Sequence, residues 1–226
     1  MFTNLGDFQF LYVDLFLITL MGLLFGYGEA APKLSRKPPE TRILTVPSFI
    51  SVLLQLTLAG GFQLGIFLLV RKQPWYAEIK PEGDHVVPTH EGTAIFLLSS
   101  FQYCVAAVVY SRGAPHRRPF YTNLPLCATL VVCLAVNVLL VIWPPGFIAQ
   151  LLTLQPIESM NFRLLLLLVA ALNTALCLVA EKLVIEKVLE RPGCCGQKGS
   201  QKLPYGRQMA EMAGRPVWLP VAAGQR

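Results

Sequence analysis

Residues 124–143 read L-P-L-C-A-T-L-V-V-C-L-A-V-N-V-L-L-V-I-W, with no charged side chain in the whole stretch. A helix that crosses the hydrocarbon core of a bilayer needs roughly 20 mainly apolar residues. Four more stretches have this character, at about residues 8–27, 46–70, 94–111 and 162–180. Because a backbone in lipid must satisfy its own hydrogen bonds, we interpret all five as helices. The sequence therefore predicts an all-α, polytopic transmembrane helix bundle.

The overall composition excludes an ordinary soluble domain. Of the 226 residues 54% are hydrophobic and only 14% are charged, and the mean hydropathy is +0.53. A soluble domain carries about 25% charged residues. We therefore predict a transmembrane domain over residues 1–182 and a basic cytoplasmic tail over residues 183–226, with the lipid bilayer as a partner and no nucleic acid.

Basic residues are concentrated in alternate connections between the spans. The first connection contains Lys33, Arg36, Lys37 and Arg42, and the third contains Arg112, Arg117 and Arg118. The second connection contains Arg71, Lys72 and Lys80 but also the acidic residues Glu78, Glu82, Asp84 and Glu91. The fourth contains Glu158, with Arg163 only at its far edge. Because basic loops are retained on the cytoplasmic side, we expect the first and third connections and the C-terminus to be cytoplasmic. The N-terminus is then lumenal or external.

The N-terminal region does not have the pattern of a secretory signal peptide. It has no basic segment before its apolar run, and it carries Asp7 and Asp14. A membrane chain that begins at the mouth of a helix is typical of a truncated sequence, and we hypothesise that this one is truncated.

Two acidic residues lie in the first span, which begins N-L-G-D-F-Q-F-L-Y-V-D-L at residues 4–15. Asp7 and Asp14 are seven residues apart, so a regular helix places them on nearly one face. A carboxylate in hydrocarbon costs about 2.5–3.5 kcal/mol, which implies a cavity, a partner or a cation. Carboxylates spread along a groove, near Phe10 and Tyr12, suit an elongated polycation better than one calcium ion. Alternatively, Asp7 is a helix-start residue at the membrane interface.

The other polar residues inside the spans are interpreted as interhelical hydrogen-bonding groups. They are Gln55, Gln63, Ser99, Ser100, Gln102, Asn137 and Asn173. A direct transport role for Gln102 is the alternative. The G-x-x-x-G spacings at Gly22/Gly26 and Gly61/Gly65 predict close helix packing.

The loops and the tail contain weaker signals. Trp75 and Tyr76 follow a span and are typical of interface anchors. His85 and His90 lack further ligands nearby, so we predict no metal site. Cys194 and Cys195 are candidates for palmitoylation, with a plain reduced pair as the alternative. The basic tail is expected to associate with anionic lipid.

The segment N-L-G-D-F-Q-F-L-Y-V-D closely resembles the sixth membrane helix of the type V P-type ATPases of the B branch. The resemblance continues through Q-P-W-Y (73–76), S-S-F-Q-Y (99–103), R-G-A-P-H-R-R-P-F-Y-T-N (112–123) and R-P-V-W-L-P (215–220). It covers essentially the whole chain in order. It implies that the five spans correspond to the last five helices of a ten-helix membrane domain.

The resemblance also implies a function. Pumps of this family use ATP and Mg to move polyamines such as spermine or spermidine from the lumen of late endosomes and lysosomes to the cytosol. The resemblance implies that the family's sixth helix contributes residues to the substrate cavity, and the matching positions are taken as candidate substrate-binding residues: Asp7, Gln9, Phe10 and Asp14.

One departure from the family is large. The chain contains no D-K-T-G phosphorylation motif, and phosphoryl transfer needs a phosphate cradle and metal-binding carboxylates. We therefore predict no catalytic residue and no cofactor in this chain, which cannot hydrolyse ATP alone. It is expected to be the C-terminal transmembrane portion of a cation or polyamine pump. The alternative is a non-catalytic short membrane isoform that binds or regulates the full-length pump; an unrelated small receptor or scaffold is a third, weaker interpretation.

Overall fold

Five helices in the described part of the chain are long and apolar enough to cross a membrane. The computed structural model describes residues 6–32, 46–76, 88–111 and 116–182. The long helices are α1 (Asp7–Phe25), α2 (Val46–Arg71), α3 (His90–Tyr110), α4 (Leu124–Ile142) and α6 (Met160–Ala180), and the short helix α5 is Gly146–Leu151. A 3₁₀ turn at Phe120–Thr122 precedes α4. The prediction of an all-α bundle with five spans is confirmed.

The largest differences from the prediction are at the start of α3 and in the fourth connection. Helix α3 begins at His90 rather than near residue 94, because the Thr89 hydroxyl caps it and accepts a hydrogen bond from the Gly92 N–H at 3.1 Å. The fourth connection contains α5, which the sequence did not predict. A helix of six residues is too short to display a periodic pattern.

Helix α3 lies at the centre of the bundle and packs against α2, α4, α6 and the middle of α1. In its most apolar window 61% of the residues are buried, compared with 17–33% for the other four spans. Phe96 and Leu98 are among the largest fully buried side chains. Large apolar side chains on the outer helices, such as Leu56 and Leu168, are exposed on the outside of the bundle, as lipid contact requires.

Polar side chains satisfy the backbone at the ends of the spans. Asn123 caps α4 and also donates from Nδ2 to the Leu24 carbonyl at 2.8 Å, which connects α1 to α4. Arg163, in the first turn of α6, donates from Nη1 to the Ile142 carbonyl at 2.6 Å. Because the last carbonyls of a helix have no partner inside it, this arginine completes the C-terminus of α4.

The first and third connections meet on one side of the bundle, and the fourth connection contacts the start of α3 on the other. On one side, an isolated antiparallel bridge joins Ala30 to Arg117, and the carboxylate of Glu29 contacts the Arg118 guanidinium at 2.6 Å. On the other side, the Gln155 N–H donates to the Thr93 hydroxyl at 2.9 Å. This arrangement agrees with helices that alternate in direction, while the lumenal or cytoplasmic identity of each side stays a prediction.

Several sequence-based predictions concern residues 33–45, 77–87, 112–115 and 183–226, which lie outside the described residues. They include the predicted cytoplasmic tail, the lipidation candidates Cys194 and Cys195, and His85 of the second connection.

Candidate functional site

The start of α1 is held against the segment that follows α5. The side chain of Gln9 is 4% exposed, and its Nε2 donates to the Leu152 carbonyl at 2.7 Å. Its Oε1 accepts from the Gly6 N–H at 3.3 Å, which satisfies one of the free donors at the helix N-terminus. Gln9 therefore positions the first turn of α1 through hydrogen bonds to two backbone groups.

Gly6 allows a close approach between this turn and Thr153. A Cβ atom at Gly6 would collide with the Thr153 hydroxyl. Thr153 has φ 47°, in the left-handed region that β-branched residues rarely adopt. Its N–H donates to the Gln150 carbonyl at 3.1 Å, and the Leu154 N–H donates to the Ala149 carbonyl at 2.8 Å. These two bonds form a Schellman motif, which requires this backbone conformation at the residue after the helix cap.

The middle of α1 is a π-helix over Tyr12–Thr19, between α-helical Asp7–Leu11 and Leu20–Phe25. The Leu20 N–H reaches back five residues to the Leu15 carbonyl, as a π-helix requires. Asp14 lies inside this segment. Because π-helical segments are rare and occur frequently at functional sites, this geometry makes the region around Asp14 a candidate functional region.

Helix α1 presents one narrow stripe to the bundle. The buried side chains occur at every fourth residue: Gln9, Val13, Leu17 and Met21. Asp7 and Asp14 are exposed, and Phe10 is 52% exposed. The two carboxylates and the aromatic ring therefore lie on the side of α1 that the other four spans leave uncovered.

Neither carboxylate has a hydrogen-bond or ion-pair partner among the described residues. An ionised side chain within a membrane span is costly unless it is paired or faces water, a cavity or a cation. An exposed aromatic ring beside the carboxylates is a potential cation–π partner for an ammonium group. This face of α1 therefore has the chemistry to bind a cation.

The four candidate substrate-binding residues divide into two groups. Asp7, Phe10 and Asp14 are exposed, while Gln9 is buried and its amide is used in contacts with Gly6 and Leu152. Binding of substrate by all four stays a prediction. The sequence did not indicate that Gln9 faces the bundle while the other three candidates face outward, because Gln9 has an apolar residue on each side.

A second set of polar groups joins α2 to α3 within the membrane. The Gln63 Nε2 donates to the Gln102 Oε1 at 2.8 Å and to the Ser99 hydroxyl at 3.0 Å. Gln102 in turn donates from Nε2 to the Ala59 carbonyl at 3.1 Å. The predicted interhelical hydrogen bonds are therefore confirmed for these three side chains.

Two more interhelical bonds were predicted and are present. Gln55 donates to the Cys177 carbonyl at 3.1 Å, and Asn137 accepts from the Tyr12 hydroxyl at 2.9 Å. The same prediction was wrong for Ser100 and Asn173. Ser100 donates to the Phe96 carbonyl of its own helix at 2.9 Å, and Asn173 accepts from Cys177 one turn later. Ser100 is thus satisfied within its own helix, whereas the buried Nδ2 of Asn173 has no hydrogen-bond partner among the described residues.

The prediction of close packing at the G-x-x-x-G spacings was wrong within the described structure. A Cβ atom added at Gly22, Gly61 or Gly65 would meet nothing within 4 Å, and one at Gly26 would meet only the Leu23 carbonyl of its own helix. The glycines are on uncovered parts of α1 and α2. The spacing alone does not specify which face of a helix is in contact with a neighbour.

The predicted interface anchors pack against the bundle. The Trp75 ring lies 5.1 Å from the His90 ring and 5.3 Å from the Phe162 ring, centroid to centroid. The Tyr76 hydroxyl donates to Glu91, and this hydrogen bond raises the pKa of Tyr76 above its usual value. The sequence had no signal for the contact between Tyr76 and Glu91, since it depends on how the second connection folds.

Comparison with known proteins places this architecture in a family. Residues 3–184 match the family described as "Cation transporting ATPase, C-terminus". The chain is 37% identical over 229 residues to the polyamine-transporting ATPase 13A2 of Homo sapiens, an alignment that covers 98% of this chain and 19% of that protein. It is 37% identical over 185 residues to the probable cation-transporting ATPase catp-6 of Caenorhabditis elegans, covering 80% of this chain and 15% of the relative.

A more distant relative is the vacuolar cation-transporting ATPase YPK9 of Saccharomyces cerevisiae, which is 30% identical over 172 residues. The chain thus spans less than a fifth of the length of the curated relatives it matches. The match to the family covers all five membrane helices. The chain therefore belongs to the cation-transporting P-type ATPases and is a C-terminal membrane region of the type V branch.

Proposed function

We propose that this chain is the C-terminal transmembrane portion of an ATP-driven polyamine transporter and contributes one wall of its substrate cavity. The observation that carries the proposal is the pair of exposed carboxylates, Asp7 and Asp14, on the uncovered side of α1. Within the described residues, neither of them has a basic partner. A cationic substrate would supply the missing positive charge.

The proposed substrate is a linear polyamine. Its ammonium groups are separated along a flexible chain, and Asp7 and Asp14 are separated along α1. Phe10 lies between them in sequence and is half exposed, so its ring can contact an ammonium group or the methylene chain. In this arrangement Asp7 and Asp14 bind charge, while Gln9 holds the first turn of α1 in place through Leu152.

The cavity would be completed by membrane helices that precede this segment in the full-length relatives. The chain corresponds to 19% of the human relative, which is named as polyamine-transporting. The uncovered parts of α1 and α2, which include Gly22 and Gly61, leave space for close contact with such helices. ATP and Mg would be bound by parts of the pump outside this chain.

The proposed direction of transport is from lumen to cytosol, with the start of α1 on the lumenal side. The alternation of basic and acidic connections supports this orientation. The proposed location is the membrane of late endosomes or lysosomes. The description of the yeast relative as vacuolar supports an acidic storage organelle.

The proposal is tested by replacing Asp14 with Asn in a full-length pump that carries this segment. Loss of the carboxylate is expected to reduce spermine-stimulated ATPase activity and to raise the spermine concentration needed for half-maximal stimulation. The Asp7→Asn variant should have the same effect to a smaller extent, since Asp7 lies at the end of the helix. Unchanged stimulation in both variants would contradict the proposal.

The matched control is Glu158→Gln, which removes an exposed carboxylate from the connection between α5 and α6. It changes the total charge by the same amount and leaves α1 intact. We expect normal stimulation by spermine. If Glu158→Gln loses as much spermine stimulation as Asp14→Asn, the effect comes from the total negative charge on this side of the bundle and not from a site on α1.

A further inference from the structure

A cleft of about 270 Å³ opens where α1 and α3 end and α4 begins. Its walls include Phe25, Gly28, Tyr110, Arg117, Arg118 and Asn123. Since three membrane spans terminate here, the cleft lies at the boundary between the hydrocarbon core and the headgroup layer. It is distinct from the uncovered side of α1 that carries Asp7.

Hydrogen bonds between the two adjoining connections preform the cleft. The Ala31 N–H donates to the His116 carbonyl, and the Arg118 N–H donates to the Glu29 carbonyl, both at 3.0 Å. Asn123 adds its bond to Leu24 on the opposite wall. These bonds hold the segment after α1 against the segment before α4. Both segments are therefore ordered before a ligand binds.

The two arginines of the cleft are in different electrostatic situations. Arg118 forms an ion pair with Glu29 at 2.6 Å. Arg117 is exposed and has no acidic partner among the described residues. The residues that line the cleft include no Asp or Glu. One guanidinium charge is therefore left without a counter-ion from the described part of the chain.

Gly28 lies beside the Arg117 guanidinium. A Cβ atom at Gly28 would lie 4.0 Å from Arg117 Nη1. Because both residues line the cleft, a side chain larger than a methyl group at position 28 would take up space beside the guanidinium. Arg117 lines the cleft, and the bridge between Arg117 and Ala30 fixes the backbone from which its side chain extends.

A phosphate group suits this site better than other anions of the membrane surface. The guanidinium fork matches two phosphate oxygens, and basic pockets between transmembrane helices bind anionic lipid headgroups. The cleft is smaller than the roughly 300–1,000 Å³ of pockets for drug-sized ligands, so it accommodates a headgroup rather than a larger molecule. The exposed ring of Tyr121 beside the cleft is typical of the headgroup level.

We propose that this cleft is a binding site for the phosphate of an anionic membrane lipid, with Arg117 as the main ligand and Gly28 keeping the site open. The proposal is independent of the transport function, because it involves neither Asp7 nor Asp14. It also differs from a general attraction between lipid and the basic tail, because it assigns the contact to one side chain in a preformed cleft.

The test is native mass spectrometry of the full chain in detergent with added phosphatidylglycerol, whose only charge is its phosphate. Zwitterionic phosphatidylcholine is the reference lipid. We expect selective retention of phosphatidylglycerol and a loss of about fivefold in the Arg117→Ala variant, which corresponds to about 1 kcal/mol for one arginine near an anionic surface. Arg117→Lys should retain part of the binding, since it keeps the charge and loses the fork.

Two further variants separate the cleft from total charge and from misfolding. Lys72→Ala removes one exposed positive charge from the other side of the bundle and should leave retention unchanged. Gly28→Val keeps every charge and should weaken retention by occupying the cleft. Each variant must give the wild-type helical circular dichroism spectrum and a single peak in gel filtration.

Three results would overturn the proposal. The first is full retention in Arg117→Ala, and the second is an equal loss in Lys72→Ala. The third is displacement of phosphatidylglycerol by an excess of inorganic phosphate, which would assign the cleft to a soluble phosphate instead of a lipid. Retention that is selective, sensitive to Arg117 and Gly28, and unaffected by inorganic phosphate supports the lipid site.

Discussion

The hydroxyl of Tyr12 donates a hydrogen bond to the Oδ1 of Asn137 at 2.9 Å, which joins the π-helical part of α1 to α4 inside the membrane. Asn137 is completely buried, and its Nδ2 reaches the Cys104 sulfur of α3 at 3.9 Å. One polar residue thus connects the helix that carries Asp14 to two neighbouring spans. Hydrogen bonds of this kind contribute about 0.6 kcal/mol on average and up to about 1.7 kcal/mol.

The Tyr12→Phe variant is expected to lower the free energy of unfolding by about 1 kcal/mol, because the buried Asn137 carbonyl loses its donor. The measurement is reversible unfolding in mixed micelles with increasing SDS. Tyr27→Phe, at a tyrosine that is 70% exposed, is the control and should be neutral. If Tyr12→Phe is also neutral, including in a double-mutant cycle with Asn137→Leu, the bond makes no contribution to stability.

Gln63→Leu and Gln102→Leu are each expected to destabilise the contact between α2 and α3 by about 0.6–1.7 kcal/mol. Because each substitution breaks the same bond between the two side chains, the double variant should lose less than the sum of the single losses. The same unfolding assay measures all three. Thr57→Val is the matched control, since the Thr57 hydroxyl bonds only within α2. Additive losses would show that the two glutamines act separately.

Gly6→Ala should destabilise the start of α1, because the new methyl group collides with the Thr153 hydroxyl. Thr153→Gly removes that hydroxyl and relieves a left-handed backbone position, so it should be stabilising by about 1 kcal/mol alone and should rescue Gly6→Ala. Thermal unfolding with a thiol-reactive dye is a suitable measurement. Gly22→Ala, where a Cβ meets nothing within 4 Å, is the control and should not destabilise the protein. If Thr153→Gly does not restore the stability of Gly6→Ala, the collision with the Thr153 hydroxyl is not the cause of the destabilisation.

The Tyr76 hydroxyl should lose its proton at a higher pH than a free tyrosine, because its hydrogen bond to Glu91 raises its pKa. Since the raised pKa favours the protonated form in the folded state, the bond stabilises the fold fully below pH ~10 and is lost as pH rises through the folded pKa. Absorbance at the tyrosinate band in wild type minus Tyr76→Phe isolates this group. In Glu91→Gln the transition should move to lower pH. A Tyr76 transition at the ordinary value in wild type would contradict the contact.

The positions of the five spans could be predicted because the bilayer imposes a length and an apolar composition that few other structures share. The short helix α5 could not be predicted, since six residues contain less than two turns of periodicity. The π-helix over Tyr12–Thr19 could not be predicted either, because it has no amino-acid composition of its own.

The candidate site was predictable in part. Asp7 and Asp14 are conspicuous because charges are rare in membrane helices, and both are exposed as a cation-binding role requires. The buried position of Gln9 was not predictable, because apolar residues occur all around α1 and their spacing does not distinguish its inner face. For the same reason, the spacing of Gly61 and Gly65 did not reveal that they lie on a face that the described helices leave uncovered.

The central position of α3 has a consequence for how this segment tolerates substitution. Helix α3 packs against α1, α2, α4 and α6. Lipid chains can adapt to a changed side chain on the outside of the bundle, but they do not reach the buried Phe96 and Leu98. A change in side-chain volume there must therefore be accommodated by the neighbouring helices. In a saturation mutagenesis screen for protein abundance, we expect α3 to be intolerant over most of its surface, except along the less buried face that carries Tyr103 and Tyr110. The outer helices should be intolerant along one stripe only, with a period close to four residues along α1.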